Sequence, residues 1–175
     1  APAAPPQPLP DLLEDARFTS RSRYDALNRP RQIIAPHSSS ANPLHVNVTQ
    51  PAYNAAGLLE RVDLWLNRTA EPDDLLATTT ADQPMVQNID YNAKGQRVLI
   101  AYGNGATTTY VYDDETFRLT RLRTTRPNRP AGVLSALFEQ ATVVQDLRYT
   151  YDPAGNITRI ADASHKRFVQ GNQPV

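Results

Sequence analysis

The side chains of this 175-residue chain that could do chemistry are three histidines, a run of acids, a small serine cluster and a row of arginines. His37, His45 and His165 lie in separate segments. No two stand at the i, i+4 spacing that sets a metal-binding pair on one helical face. Asp113, Asp114 and Glu115 are adjacent. On a strand or turn such neighbours point in different directions, whereas a glycosidase needs two carboxyls flanking one bound sugar. Serines cluster at 38–40 without a G-x-S-x-G elbow. Cysteine is absent, which removes a thiol nucleophile, a disulfide framework and thiolate metal ligands. No glycine-rich phosphate fingerprint occurs. The stretch RLTRLRTTRPNR carries Arg118, Arg121, Arg123, Arg126 and Arg129 and could meet an anion. The alternative is a strand followed by an exposed loop, with Asp114 and Glu115 nearby. Lys+Arg and Asp+Glu balance at 18 each, which favours that second reading and offers no footprint for nucleic acid. The residues therefore support no catalytic group, no cofactor and no metal.

What does recur is a tyrosine followed by a small acid or amide. Tyr24-Asp25, Tyr53-Asn54, Tyr91-Asn92, Tyr112-Asp113 and Tyr151-Asp152 are spaced by 29, 38, 21 and 39 residues. A fixed motif with variable spacers is the mark of a repeat array whose extra residues sit in loops. Asp or Asn after the tyrosine can accept from a backbone N–H two residues on and start a turn. Gly57, Gly95 and Gly155 stand four residues after the tyrosine, where a hairpin loop needs positive φ, and Asn28 holds that place in the first copy. The fourth copy has Thr116 there and is one residue longer, which predicts a different turn.

The elements that must carry these doublets are strands. Arg97–Tyr102 and Thr107–Tyr112 are rich in β-branched and aromatic residues and flank Asn104-Gly105, the strongest short hairpin signal. A two-residue type I′ turn there would oppose Tyr102 to Thr107, Ile100 to Thr109 and Val98 to Val111. Val62, Leu64 and Leu66 alternate with Arg61, Asp63 and Trp65 at strand period, and 86–91 and 143–151 read similarly. Only VLSALFEQ, Val133–Gln140, reads as helix, inside the insertion between the fourth and fifth doublets. The fold class is all-β with one short helix. No apolar run approaches the roughly 20 residues of a membrane span. Residues 1–17 begin APAAPPQPLP and read as a proline-rich linker; residues 18–175 form the repeat region.

The Tyr-Asp openings, the glycine four on, and the spacer GNGATTTYVYD resemble the YD repeats of RHS proteins. The runs YNAAGLLERVDLWL, IDYNAKGQRVLIAYGNGATTTYVYDDETFRLTRL and LRYTYDPAGNITRIADAS are similar to the RHS region of bacterial insecticidal toxin complexes. They look closest to the B component and its SpvB-related relatives. The resemblance runs from about Phe18 to the C-terminus. It implies a curved antiparallel sheet of YD-repeat hairpins, a segment of a shell that encloses a toxic C-terminal polypeptide without catalysis. The partners it implies are the remaining RHS segments and the enclosed toxin component, outside the cell.

Asp152-Pro153-Ala154-Gly155 has the D-P-x-G lettering of the self-cleaving RHS terminus, but it lies in an ordinary repeat without the neighbouring elements. A cell-surface or carbohydrate-binding role is the competing reading, with Tyr110 and Tyr112 as ring platforms for sugars. A sheet with open ends would expose unpaired backbone groups. That invites edge-to-edge self-association unless the N-terminal PPQPLP caps an edge.

Overall fold

The computed structural model describes residues 17–38, 40–41, 43–127 and 143–164, with the short stretches 169–170 and 173–174. The helix expected at Val133–Gln140, and residues 1–16 of the expected linker, lie outside them.

The described chain is all-β. Its strands are β1 Phe18–Tyr24, β2 Pro30–Ser38, β3 Val46–Tyr53, β4 Leu59–Arg68, β5 Gln83–Tyr91, β6 Arg97–Tyr102, β7 Thr107–Tyr112, β8 Leu119–Thr125, β9 Val143–Tyr151 and β10 Ile157–Asp162. They lie in chain order in one ten-stranded antiparallel sheet, so each pairs with its neighbours in sequence. Val169–Gln170 and Gln173–Pro174 form a separate two-stranded ladder. Thr78–Thr80 make the single helical turn among the described residues, of 3₁₀ type. By its contacts the chain divides into two compact units, Ala1–Gln50 with Leu64–Asp82, and Pro51–Asp63 with Gln83–Val175.

In the first unit alternation builds the core. Val46, Val48 and Gln50 of β3 are buried, while the residues between them are exposed or half-buried. Ile34, Val46, Val48 and Trp65 form the buried cluster, with Leu44, Leu76 and Ala81 packed on it. The segment after β4 is tied down by amides. Gln32 Nε2 donates to Gln50 Oε1 at 2.8 Å and to the Asp74 carbonyl at 3.0 Å. Gln50 in turn donates to the Leu76 carbonyl and accepts from the Leu76 N–H. Two buried glutamines thereby satisfy loop backbone that would otherwise lack partners. Trp65 Nε1 donates to Thr80 Oγ1 at 3.1 Å.

The period-2 reading of β4 identified a strand, and the structure decides which of its two faces is buried. Trp65 and Asp63 are the buried side chains, whereas Leu66 is 40% exposed. The indole is the largest apolar group available to fill the cluster, and Asp63 is neutralised by Arg61, whose guanidinium lies 2.7 Å away.

In the second unit the Asn104-Gly105 hairpin departs from the expected register. Leu99 opposes Thr109, Ile100 opposes Thr108 and Ala101 opposes Thr107. Tyr102 and Ala106 close the loop with an N–H···O bond of 2.9 Å, so the loop has three residues, 103–105, and Gly105 takes φ 81°. The one-residue slip moves every β7 side chain to the other face. Ile100 and Thr108 become the buried pair, while Val111 is 51% exposed. Gly103 explains the extra residue. A Cβ built there would meet the Pro84 carbonyl oxygen at 1.5 Å, and its N–H donates to the Met85 carbonyl.

Candidate functional site

Each doublet ends an odd-numbered strand: Tyr24 β1, Tyr53 β3, Tyr91 β5, Tyr112 β7 and Tyr151 β9. The following acid or amide organises the turn. Asp25 Oδ1 accepts from the N–H groups of Leu27 and Arg29. Asn54 Oδ1 accepts from Ala56 and Leu58. Asn92 Oδ1 accepts from Lys94 and Gln96, and Asp152 Oδ1 from Asn156. Gly57, Gly95 and Gly155 have φ of 80°, 75° and 97°, and Asn28 substitutes at 57°. In the longer fourth copy Asp113 Oδ1 accepts from the N–H groups of Glu115 and Thr116 and from the Thr116 hydroxyl, and Phe117 takes the positive φ, 58°.

These bonds keep the carboxylates ionised. The Arg29 backbone and guanidinium hold Asp25 below its ordinary pKa. Thr116 does so for Asp113, and Asn156 for Asp152. A carboxylate committed to local N–H donors is a poor proton donor. Asp152 thus occupies in its turn the place that Asp25, Asn54 and Asn92 occupy in theirs.

After four of the turns the ladder skips a residue. Tyr24 opposes Pro30, Tyr91 opposes Arg97 and Tyr151 opposes Ile157, and the register shifts immediately beyond. Tyr112 opposes Leu119 with the same shift. Where the skipped residue is threonine, its hydroxyl compensates: Thr120 Oγ1 donates to the Val111 carbonyl and Thr158 Oγ1 to that of Thr150.

The tyrosines reach the other way. Tyr91 Oη donates to the Leu59 carbonyl at 2.6 Å, Tyr112 Oη to Arg97 at 2.9 Å and Tyr151 Oη to Leu119 at 2.7 Å. Each acceptor is the first residue of the preceding strand, the one opened by the previous doublet. The pairs β4–β5, β6–β7 and β8–β9 are joined by chain only at their far ends. The phenol closes the near end that no turn closes. Neighbouring turns also touch. Gln96 Nε2 donates to the Phe117 carbonyl, Lys94 Nζ lies 3.0 Å from the centre of the Phe117 ring, and Arg118 donates to the Asp152 carbonyl. In the sequence the tyrosine hydroxyl can reach water or a neighbour; which carbonyl it meets, and the contacts between turns, come only from the structure. The recurrence of the tyrosine was the available signal.

The remaining sequence candidates fall elsewhere. His37, whose setting in APHSSSANP reads as an exposed loop, is a buried residue of β2. Nδ1 lies 3.0 Å from the Ala35 carbonyl and Nε2 3.0 Å from Glu71, which also pairs with Arg21. His45 is exposed, and His165 lies outside the described residues. Among the described residues no three metal-ligating side chains gather. Arg121 forks onto Asp146 of β9 with two 2.6 Å bonds, rather than onto Asp114 or Glu115. A shallow depression of about 320 Å³ is lined by Tyr102, Asn104, Thr108, Tyr110, Leu122 and Gln145, among others. Burial pushes the Tyr110 and Tyr112 phenols up from their ordinary value.

No protein-family model matches the chain. It is 40% identical over 166 residues to toxin subunit YenC1 of Yersinia entomophaga, and 41% identical over 95 residues to toxin subunit YenC2 of the same organism. These alignments cover 94% and 54% of this chain, but 14% and 9% of the subunits. Nearly the whole chain is similar to one stretch of a toxin subunit. The crystal structure of TcdB2-TccC3-Cdc42 matches with a TM-score of 0.63 at 29% identity, covering 95% of this chain and 6% of that one. A Photorhabdus luminescens Tc holotoxin pore matches with a TM-score of 0.61, again at 29% identity, covering 94% and 6%. These likenesses support a toxin-complex component and do not extend to SpvB-related proteins specifically.

Proposed function

We propose that this chain is a segment of an RHS shell in a secreted, extracellular toxin complex, and that it is a wall and not an enzyme. The observation that carries this is the use of the doublets. All five end strands, and the three with a hydroxyl bond described above tie one hairpin to the next. That is how a sheet is extended repeat by repeat, and it leaves the motif no side chain for chemistry. The similarity to YenC1 and YenC2 favours a subunit of that type over the B component. Residues 18–175 are the repeat region on this reading. Its partners are the flanking repeats and a toxic C-terminal polypeptide held inside.

The test is a transplant. This chain replaces the matching stretch of YenC1, and protease digestion of the assembled subunit is followed by mass spectrometry. The C-terminal polypeptide should stay protected as in the parent. A soluble, folded chimera in which it is digested as fast as free polypeptide would overturn enclosure.

One observation favours a second reading, a sugar-binding module: Tyr102 and Tyr110 line a depression that also holds Asn104 and Gln145. Saturable glycan binding abolished by Tyr110→Ala would support it.

A further inference from the structure

The β8–β10 region carries a charged patch that neither reading uses. Arg121 and Arg123 of β8 oppose Arg148 and Asp146 of β9, and Arg148 and Thr150 oppose Ala161 and Arg159 of β10. Directly opposed residues share a face, as do residues two apart on one strand. Arg121, Arg123 and Arg148 therefore stand around a single acid, Asp146, on one side of the sheet, and Arg159 lies on the same side beyond Arg148. Arg121 faces Arg148 directly, a like-charge arrangement that disfavours the pair unless a counter-charge sits between. Asp146 supplies one, with both carboxylate oxygens taken by the Arg121 fork. Arg121 first, then Arg148 and Arg123, hold its pKa below the ordinary value, so all three guanidiniums act on one carboxylate.

The patch is left with excess positive charge. Among the described residues Arg123, Arg148 and Arg159 make no ion pair. Arg148 and Arg159 are exposed, and the buried Nε of Arg123 has no acceptor. Within the described strands Asp90 is the next acid on this face, reached through the β5–β6, β6–β7 and β7–β8 pairings. It stands about 14 Å from β8 at sheet spacing, more than a Debye length at physiological salt. Asp162 sits on β10 opposite Leu147, on the other face, where Oδ1 accepts from the Asp146 and Ser164 N–H groups.

We propose that this arginine patch docks the carboxylates of an acidic polypeptide segment. The patch already binds one carboxylate in a forked geometry, which is the chemistry a second would use. Arginines two apart on a strand are about 7 Å apart and those on adjacent strands about 5 Å, which matches carboxylates on alternate residues of an extended peptide.

The experiment is fluorescence anisotropy with a labelled peptide of about ten glutamates, titrated with the full chain at low salt and again near physiological salt. Saturable binding is expected, weakened by salt and reduced roughly tenfold in the double variant R148Q/R159Q. Among the described residues both positions are exposed and form no ion pair, so that variant should melt close to the parent, which separates lost binding from lost folding. Three results would overturn the proposal: no saturable peptide binding at low salt, binding indifferent to R148Q/R159Q, or tighter binding of a thymidine oligonucleotide of equal length.

Discussion

Replacing the motif tyrosines with phenylalanine isolates the hydroxyl links from the ring packing. In Tyr91→Phe the ring stays and only the 2.6 Å bond to the Leu59 carbonyl is lost; in Tyr151→Phe it is the 2.7 Å bond to Leu119. Both bonds are partly buried, so water replaces the donor incompletely. The expected cost is about 1 kcal/mol each, the usual net worth of such a bond. For a chain of this size that lowers the melting temperature by roughly 2–4 °C. Tyr112→Phe removes a solvent-exposed bond of 2.9 Å to Arg97 and should cost less, because water takes over as donor. Tyr24 is the internal control. It is 59% exposed and has no hydroxyl bond among the described residues, so Tyr24→Phe should stay within about 0.5 kcal/mol of the parent. Thermal melts followed by far-UV circular dichroism measure all four. Equal losses at Tyr24 and Tyr91, or no loss at either Tyr91 or Tyr151, would refute the claim that the phenols hold neighbouring strands together.

Other outcomes follow from the same geometry. Asp25, Asp113 and Asp152 have folded-state pKa values below the ordinary 3.8, so near and below that pH the unfolded chain binds more protons. Their contribution is complete above about pH 4 and is lost as pH falls through the folded values. D113N/D152N keeps the acceptor, as Asn54 and Asn92 do, and should shrink the difference between melting temperatures at pH 7 and pH 3. Gly103→Ala pushes a methyl into the Pro84 carbonyl, and urea denaturation should show a loss of about 1–3 kcal/mol. Trp65→Ala empties the buried cluster of the first unit and should cost about 3–5 kcal/mol, read by the same denaturation.

The sequence by itself determined whatever is local. The doublets as turn starters, the glycine or asparagine at positive φ and the longer fourth turn all rest on bonds within about five residues, and the all-β class is written in the period-2 alternation of each strand. Tertiary structure decided the rest. The three-residue loop at Gly103–Gly105 depends on how closely the Pro84 carbonyl approaches, and Pro84 is far away in sequence. Trp65, not Leu66, turned inward because Ile34, Val46 and Val48 were there to receive it. Each stapling tyrosine finds its acceptor 15 or 32 residues back, a distance set by variable loops, so no fixed spacing could reveal it. Turn chemistry is written between neighbours, whereas a hydrogen bond between repeats exists only once strand pairing has aligned them.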